Sequence, residues 1–295
     1  MTAQLSPSYA EITLREMTAA DLPACHGLSQ AVSWSHRLED WQLAFRCGKG
    51  WVAEANGRVV GSALYWAWGK KYATLGLVIV SPDFQGRGMG KKLLVTLLGK
   101  LEGKTVRLHA TPEGKPLYEK LGFVTTGEIR QQQSRELPPV TAPALPQNCK
   151  LRELNAEDAA TLSELDGLSS GMQRLALYQA LLETDSSHTQ KGLLLTRAGK
   201  IAGFGLLRQF GRGYAIGPLI ADNLDDAKVL VRQLLSECSG KFVRVDVEAD
   251  SGLAEWLEAL GLACVDRPTT MYKDGEPLKA AGGWRNFVLA TQALG

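Results

Sequence analysis

The sequence predicts an α/β protein with mixed sheets, built as two tandem copies of one unit. Four segments of the first half recur in the same order in the second half. Each copy alternates β-rich apolar runs with segments of helical periodicity, which is typical of helices packed on a sheet. A proline-rich stretch separates the copies. These three observations together favour a tandem duplication over one large domain.

The repeat begins with a short strand that leads into a helix. "LREMTAADLPA" at residues 14–24 reappears as "LRELNAEDAAT" at residues 151–161. Thr18 and Asn155 are the predicted helix N-caps, and Asp21 and Asp158 follow three residues later, as in a capping box with Asp in place of Glu. The other matched pairs are residues 56–68 with 198–210, 75–84 with 216–224, and 118–124 with 257–263.

The domain boundaries follow from the stretch "QQQSRELPPVTAPALPQN", which contains four prolines and little apolar periodicity. We expect a first domain at residues 1–135, a linker at 136–148 and a second domain at 149–295. Each domain is predicted to contain, in order, a strand, a helix, hairpin strands, a central strand, a helix, a strand, a helix and a strand.

The composition excludes several classes of function. The net charge of +2 over 295 residues gives no concentrated basic face, so no nucleic-acid partner is expected. The chain has no apolar run of membrane-spanning length, and its N-terminus does not resemble a signal peptide. Five widely separated cysteines favour reduced thiols in the cytoplasm. The four histidines are scattered, so no metal site is expected.

A glycine-rich turn, "SPDFQGRGMGKKLL" at residues 81–94, joins the central strand of the first copy to a helix. The first backbone N–H groups of a helix have no internal partners, and glycine lets an anion approach them closely. The turn therefore predicts a site for a pyrophosphate or similar anion. The alternative is a turn in which glycine serves only the backbone angles. No GK[ST] sequence ends the turn, so it is not a Walker loop, and position 91 is lysine where the dinucleotide fingerprint needs glycine.

The segment "VSPDFQGRGMGKKLL" resembles the acetyl-CoA-binding motif of the GNAT N-acetyltransferases, and "HATPEGKPLYEKLGF" at residues 109–123 resembles the next motif of that family. The repeat and the C-terminal sequence resemble tandem GNAT proteins of the YitH type, in which the second domain is divergent. The resemblance implies acetyl-CoA as co-substrate. The residues it implies for coenzyme binding are Val78, Ile79, Val80, Gln85, Gly86, Arg87, Gly88, Met89, Gly90 and Lys91.

The resemblance also implies direct attack of an acceptor amine on the thioester. A backbone N–H near Val78 to Val80 would support the thioester oxygen, and Tyr118 would protonate the leaving sulfur. The alternative for Tyr118 is a buried aromatic packed on the sheet. The sequence does not identify a general base.

Acceptor contacts are expected from Trp34, Asp40, His109 and Asp246, and for each a purely structural role stays open. His109, at a strand end, is also explained as a core or surface histidine. Asp246 is also explained by a salt bridge to Arg244 on the same face of the alternating strand "KFVRVDVEAD".

The second copy reads "IADNLDDAKVL" where the first has its glycine turn, so carboxylates replace the glycines. We expect this copy not to bind acetyl-CoA and to contribute to the acceptor site instead. The predicted function is an acetyl-CoA-dependent N-acetyltransferase for a small amine or amino-acid-like acceptor, as a monomer or homodimer. The alternatives are a non-catalytic acyl-CoA-binding sensor or partner-binding module, and a protein-lysine acetyltransferase.

Overall fold

The computed structural model describes residues 12–183, 188–277 and 282–295. Most of the N-terminal segment, for which no signal peptide is predicted, lies outside these residues. The first half contains β1 (Ile12–Glu16), α1 (Leu22–Ala31), α2 (Leu38–Cys47), β2 (Lys49–Ala55), β3 (Arg58–Trp68), β4 (Tyr72–Val80), α3 (Met89–Leu98), β5 (Thr105–Ala110), α4 (Lys115–Lys120) and β6 (Val124–Ser134).

The second half repeats this order and extends it. It contains β7 (Cys149–Glu153), α5 (Ala159–Ser170), α6 (Leu175–Leu181), β8 (Thr189–Arg197), β9 (Lys200–Phe210), β10 (Gly213–Ala221), α7 (Leu224–Leu235), β11 (Val243–Glu248), α8 (Ala254–Ala259), β12 (Ala263–Asp266), β13 (Thr269–Lys273) and β14 (Arg285–Val288). The mixed α/β fold with a duplicated order of elements is confirmed.

The predicted capping boxes are present in both copies. The backbone N–H of Thr18 donates to Asp21 at 2.8 Å, and that of Asn155 donates to Asp158 at 2.9 Å. Each carboxylate also receives two N–H groups of an arginine on the preceding strand, Arg15 or Arg152. The shared "LRE" strand therefore fixes the start of the following helix in both halves.

The sheets of the two halves are joined into one continuous sheet, which the sequence did not predict. Across the described residues the strands form one sheet in the order β1-β2-β3-β4-β5-β13-β6-β11-β10-β9-β8-β7, with β12 beside β6 and β14 beside β10. Strand β13 of the second half lies between β5 and β6 of the first half. Strand β6 passes from β13 at its start to β11 and β12 at its end. Each half therefore completes its sheet with a strand from the other.

One of the hydrophobic clusters is also shared by the halves. Trp41 and Trp66 of the first half belong to the same buried cluster as Leu177 and Phe204 of the second. The other two clusters lie within single halves, apart from Met271 on the exchanged strand β13. Because apolar burial is the main stabilising contribution to folding, this cluster holds the halves together in addition to the exchanged strands.

Candidate active site

The glycine turn of the first half leaves an open helix N-terminus. Gly86 and Gly88 have φ values of +75° and +71°, and a Cβ on either would meet nothing within 4 Å. Gly88 is the N-cap of α3, and the first intrahelical N–H, that of Lys92, donates to Gly88 at 3.1 Å. The N–H groups of the three preceding residues thus have no helical partner. The geometry fits a bound anion approaching the backbone.

The side chains around this turn divide into structural and exposed ones. Gln85 donates from Nε2 to the Val80 carbonyl at 3.1 Å, which ties the turn to β4. Met89 is buried in the first-half core, and Gly90 lies close to Leu117 of α4. Arg87 and Lys91 are exposed, and the guanidinium of Arg87 lies 5.1 Å from the Phe84 ring centroid. Arg87 also donates to the Asp83 carbonyl at 3.1 Å, and both cations lie at the rim of the turn.

Strand β4 separates from β5 before it reaches this turn. The two strands pair in parallel only at Tyr72–Thr74. Leu77 has a φ of +51°, and the register with β3 shifts at this point, so β4 is bulged. Beyond the bulge, Ile79 and Val80 pair with β3 on one side, while the other edge has no strand partner among the described residues. This edge offers backbone N–H and C=O groups, including those of Val78, to an extended ligand.

Tyr118 lies on α4, whose start is close to the glycine turn. Its side chain is buried, with the ring edge-on to Phe123 at 5.8 Å. Gly114 makes room for the ring, since a Cβ there would lie 3.2 Å from it. The hydroxyl makes no hydrogen bond to any described residue, and burial raises the pKa of Tyr118. The phenol is therefore protonated at neutral pH and has a proton to donate.

A cavity of about 420 Å³ begins where β4 and β5 separate, and both halves line it. The first half contributes the loop between α1 and α2, the bulged part of β4, and His109 at the end of β5. The second half contributes Phe210 and Arg212 at the β9–β10 turn, Arg244 on β11, and residues 291–293. The volume is within the range of small-molecule sites.

The structure places the four predicted acceptor residues in two groups. Trp34 and His109 line this cavity, whereas Asp40 and Asp246 do not. Asp40 accepts from the backbone N–H of Arg37 at the start of α2 and from that of Gly211 at 2.9 Å. Asp246 is held by Arg244 at 2.6 Å, as in the structural alternative. These two carboxylates position second-half elements beside the cavity.

Two half-buried histidines, each with a buried ring nitrogen, line the cavity in neutral form. Nδ1 of His109 lies 3.1 Å from Oγ1 of Thr270 on β13, and its buried Nε2 has no partner among the described residues. Burial, and then the charge of Arg107, lower the pKa of His109. Burial also lowers the pKa of His36 to about 4, and the His36 ring is edge-on to Phe210 at 5.4 Å.

Two residues of the candidate site, Arg212 and Thr270, were not predicted from the sequence. Arg212 was detectable in part, because "FGRGY" between two strand patterns is a hairpin-turn signal. The turn packs closely on the first half. A Cβ on Gly211, whose φ is +57°, would lie only 2.8 Å from Oγ of Ser35. Thr270 had no such signal, since its partner His109 is 161 residues away.

The equivalent positions of the second half are filled by the chain itself. The N-terminus of α7 is capped by Asn223, whose Oδ1 accepts from the N–H of Asp226 at 2.9 Å. Arg197 pairs with the Asp226 carboxylate, and Asp222 lies alongside with its pKa raised by burial and by Asp226. Beyond the matching bulge at Gly217, β10 pairs with β14 at Leu219–Ala221. The backbone edge that is open in β4 is therefore closed in β10.

The C-terminal segment, residues 285–294, contains one strand. Its first part is β14, which joins the second-half sheet and does not itself bridge to the first. The following residues return to the first half, where Ala293 packs on Gly76 of β4. Arg208 supports this path by donating to the carbonyls of Gly217 and Ala290. The segment thus closes the second-half edge and lines the cavity.

The described residues show neither a metal-binding cluster nor a membrane-spanning helix. Within residues 12–183, 188–277 and 282–295, no cluster of three or more His, Cys, Asp or Glu side chains is arranged to hold a metal ion. Over the same ranges, no helix is long and apolar enough to cross a bilayer.

Comparison with known proteins gives the same family for both halves. Profiles of the Acetyltransferase (GNAT) domain match residues 28–137 and residues 162–283. The chain is 28% identical over 228 residues to YitH of Bacillus subtilis (strain 168), described as an uncharacterized N-acetyltransferase; the match covers 76% of this chain and 77% of YitH. It is 25% identical over 251 residues to the holothin acyltransferase of Pseudoalteromonas sp. (strain SANK 73390), covering 84% and 83%.

A solved structure shares the whole fold. The putative acetyltransferase from Pyrococcus horikoshii superposes with a TM-score of 0.77 at 21% identity, covering 100% of this chain and 99% of that one. The likeness therefore extends over both halves and includes the region of the exchanged strands.

Proposed function

Because the chain belongs to the GNAT acetyltransferase family and carries two such domains in tandem, we propose that it is an acetyl-CoA-dependent N-acetyltransferase. The acceptor is a small amine that enters the cavity between the halves. The observation that carries this proposal is the succession of three features along β4: the cavity at residues 75–77, the open edge beyond Leu77, and the glycine turn that follows the strand.

The residues of the first half suit the coenzyme. The N–H groups at the start of α3, with Arg87 and Lys91, would hold the pyrophosphate. The free edge at Val78 and Val80 would pair with the amide groups of the pantetheine arm. When bound there, acetyl-CoA supplies an activated acetyl group as a thioester. At the equivalent positions of the second half, Asn223 caps α7 and β14 pairs with the edge of β10, so we assign this half no coenzyme.

The chain's own groups then serve acyl transfer. The backbone N–H of Val78 is a donor for the thioester oxygen, on which negative charge grows during attack. The amine nitrogen forms a bond to the acetyl carbon as the carbon–sulfur bond breaks, and Tyr118 donates its proton to the departing sulfur. Burial keeps Tyr118 protonated for this role.

The cavity favours an amino-acid-like acceptor. Arg212 has no hydrogen bond or ion pair to any described residue, and the turn that carries it is fixed to the first half through Gly211 and Asp40. It is therefore placed to receive a carboxylate. The other charged side chains that line the cavity already have partners. Arg244 is paired with Asp246, and Asp266 accepts the backbone N–H of Arg267 at 2.8 Å.

Release of CoA thiol from acetyl-CoA, measured with a panel of amino acids, their amides, polyamines and a lysine peptide, tests the function. We expect an amino acid to stimulate release more than its amide. Tyr118→Phe should lower kcat on the order of 100-fold and leave acetyl-CoA affinity unchanged, because only the proton donor is lost. Tyr65→Phe, on a half-buried tyrosine stacked on Trp51, is the control.

Two other outcomes would change the assignment. Acetyl-CoA binding by calorimetry without turnover on any amine would favour the acyl-CoA-binding sensor. Turnover only on the lysine peptide would favour a protein acetyltransferase. We also retain the cytoplasm as the proposed location, since all five cysteines are free thiols.

A further inference from the structure

We propose that His109 is the general base of the transfer and that Thr270, on the strand exchanged from the second half, orients it. This inference rests on the proposed function. In it, Nδ1–H of His109 donates to Oγ1 of Thr270, and Nε2 presents its lone pair to the acceptor amine. The catalytic group thus belongs to one half of the duplication and its positioning residue to the other.

The position of His109 is the first support. His109 is on β5 just beyond the point where β4 and β5 stop pairing, and its ring lines the cavity together with Gly76 and Leu77 of the bulged strand. An amine that attacks a thioester held along the edge beyond Leu77 must pass through this part of the cavity.

The hydrogen bonds of the ring are the second support. Nδ1 has one partner, Thr270 at 3.1 Å, and Nε2 is buried with none among the described residues. Leaving a buried polar atom without a partner costs free energy. A bound acceptor would remove this cost by supplying the missing partner. A proton on Nδ1 leaves an acceptor at Nε2, which is the form that a base requires.

Strand pairing fixes the partner in place. His109 and Thr270 are directly opposite in the antiparallel β5–β13 register, and Thr270 is buried. Its carbonyl also accepts the hydroxyl of Thr126 on β6. The Thr270 hydroxyl therefore has little freedom, so the His109 ring is held in one orientation.

The proton balance is closed by groups already described. His109 is neutral because burial lowers its pKa. As the N–C bond forms, the amine nitrogen becomes acidic, so a weak neutral base accepts its proton. His109 gains that proton, Tyr118 loses one to the sulfur, and both are restored by exchange with solvent. The products are an amide and a thiol.

His36 is the competing candidate, because it also lines the cavity with a buried nitrogen, Nδ1, that has no partner. Its ring packs against Trp34 and Phe210, and no hydroxyl or carbonyl orients it among the described residues. His36→Gln is therefore the matched control for His109→Gln.

The kinetic test compares the variants with an acceptor found in the panel. We expect His109→Gln to lower kcat on the order of 100-fold with coenzyme affinity retained, and His36→Gln to lower it far less. An acceptor analogue with a more weakly basic amine, whose nitrogen loses its proton more readily once the N–C bond forms, should recover part of the loss in His109→Gln. Thr270→Val should lower kcat roughly tenfold at unchanged KM, and Thr270→Ser should restore it, since serine supplies the same hydroxyl.

The tautomer of His109 gives a test that needs no acceptor. In ¹⁵N-histidine-labelled full-length protein, we expect the proton on Nδ1 in wild type, with loss of this preference in Thr270→Val and its return in Thr270→Ser. A proton on Nε2, or a larger kinetic loss in His36→Gln than in His109→Gln, would overturn the proposal. Failure of the proposed function would instead appear as absent turnover or absent coenzyme binding in the unaltered protein.

Discussion

At the scale of single residues, burial rather than residue type decides what the candidate catalytic groups can do. Burial raises the pKa of Tyr118 and lowers the pKa of His109 and His36, so all three are neutral at physiological pH. A neutral phenol can donate a proton and a neutral imidazole can accept one. The sequence predicted Tyr118 through its motif, but burial and the contact with Thr270 depend on residues far along the chain.

The capping carboxylates give a pH-dependent contribution to stability. The hydrogen bonds from Arg15 are the main cause that lowers the pKa of Asp21 to about 2 from 3.8. A lowered pKa in the folded state stabilises the fold above the unfolded value, and this stabilisation is lost as pH falls from 3.8 towards 2. We expect Asp21→Asn to reduce the free energy of unfolding by about 2 kcal/mol at pH 7, with a smaller difference at acidic pH.

Urea unfolding of Asp21→Asn and wild type across this pH range measures the effect. Asp158→Asn should behave in the same way, because Arg152 lowers the pKa of Asp158 through the equivalent hydrogen bonds. Glu102→Gln, at an exposed glutamate, should change little. A difference between Asp21→Asn and wild type that is independent of pH would refute the assignment to this ion pair.

At the scale of elements, two strands at equivalent positions of the repeat differ in whether one edge is paired. Strands β4 and β10 share their bulge and their pairing with a preceding hairpin strand. In β4 the edge beyond the bulge is open, and in β10 it is paired with β14. The sequence predicted that the second copy does not bind acetyl-CoA, because carboxylates replace the glycines of the turn. It did not predict β14 on this edge, because periodicity does not specify which strand a segment pairs with.

This difference predicts one acetyl-CoA per chain. Calorimetry should give one bound acetyl-CoA per chain. Gly88→Ala should reduce the affinity for acetyl-CoA roughly tenfold or more, without exposing a second site. A Cβ at φ +71° costs about 1–2 kcal/mol in backbone strain and sits where the anion approaches the α3 N–H groups. Gly103→Ala is the matched control, since Gly103 has a φ of +76° and equally open surroundings in the turn before β5.

Gly103→Ala separates the effect of backbone strain on stability from the effect of the Cβ on coenzyme binding. Both variants should lower stability by a similar amount, and only Gly88→Ala should weaken coenzyme binding. Two molecules of acetyl-CoA per chain, or equal loss of binding in both variants, would contradict the assignment of the site to the first half.

At the scale of the whole molecule, the duplication is visible in the sequence and the strand exchange is not. Segments 124–134 and 263–273 have strand character in either arrangement, because alternation specifies a buried face and leaves the partner strand open. The structure resolves this choice by inserting β13 between β5 and β6. The cavity, with its walls from both halves, is a consequence of that exchange.

The exchange predicts that the linker is dispensable for holding the halves together. A protease site placed at the exposed residues 144–147 should allow complete cleavage of the chain. We expect the two fragments to co-elute in size-exclusion chromatography as one particle and to keep acetyl-CoA affinity, because β6, β13 and the shared apolar cluster still join them.

Dilution and denaturant then distinguish exchange from simple docking. Cleaved protein should unfold in one transition whose midpoint falls with protein concentration, since unfolding now separates two chains. Uncleaved protein should show no such dependence. Fragments that separate in native buffer and unfold independently would mean that each half forms its own complete sheet, and the cavity with Thr270 beside His109 would then not survive cleavage.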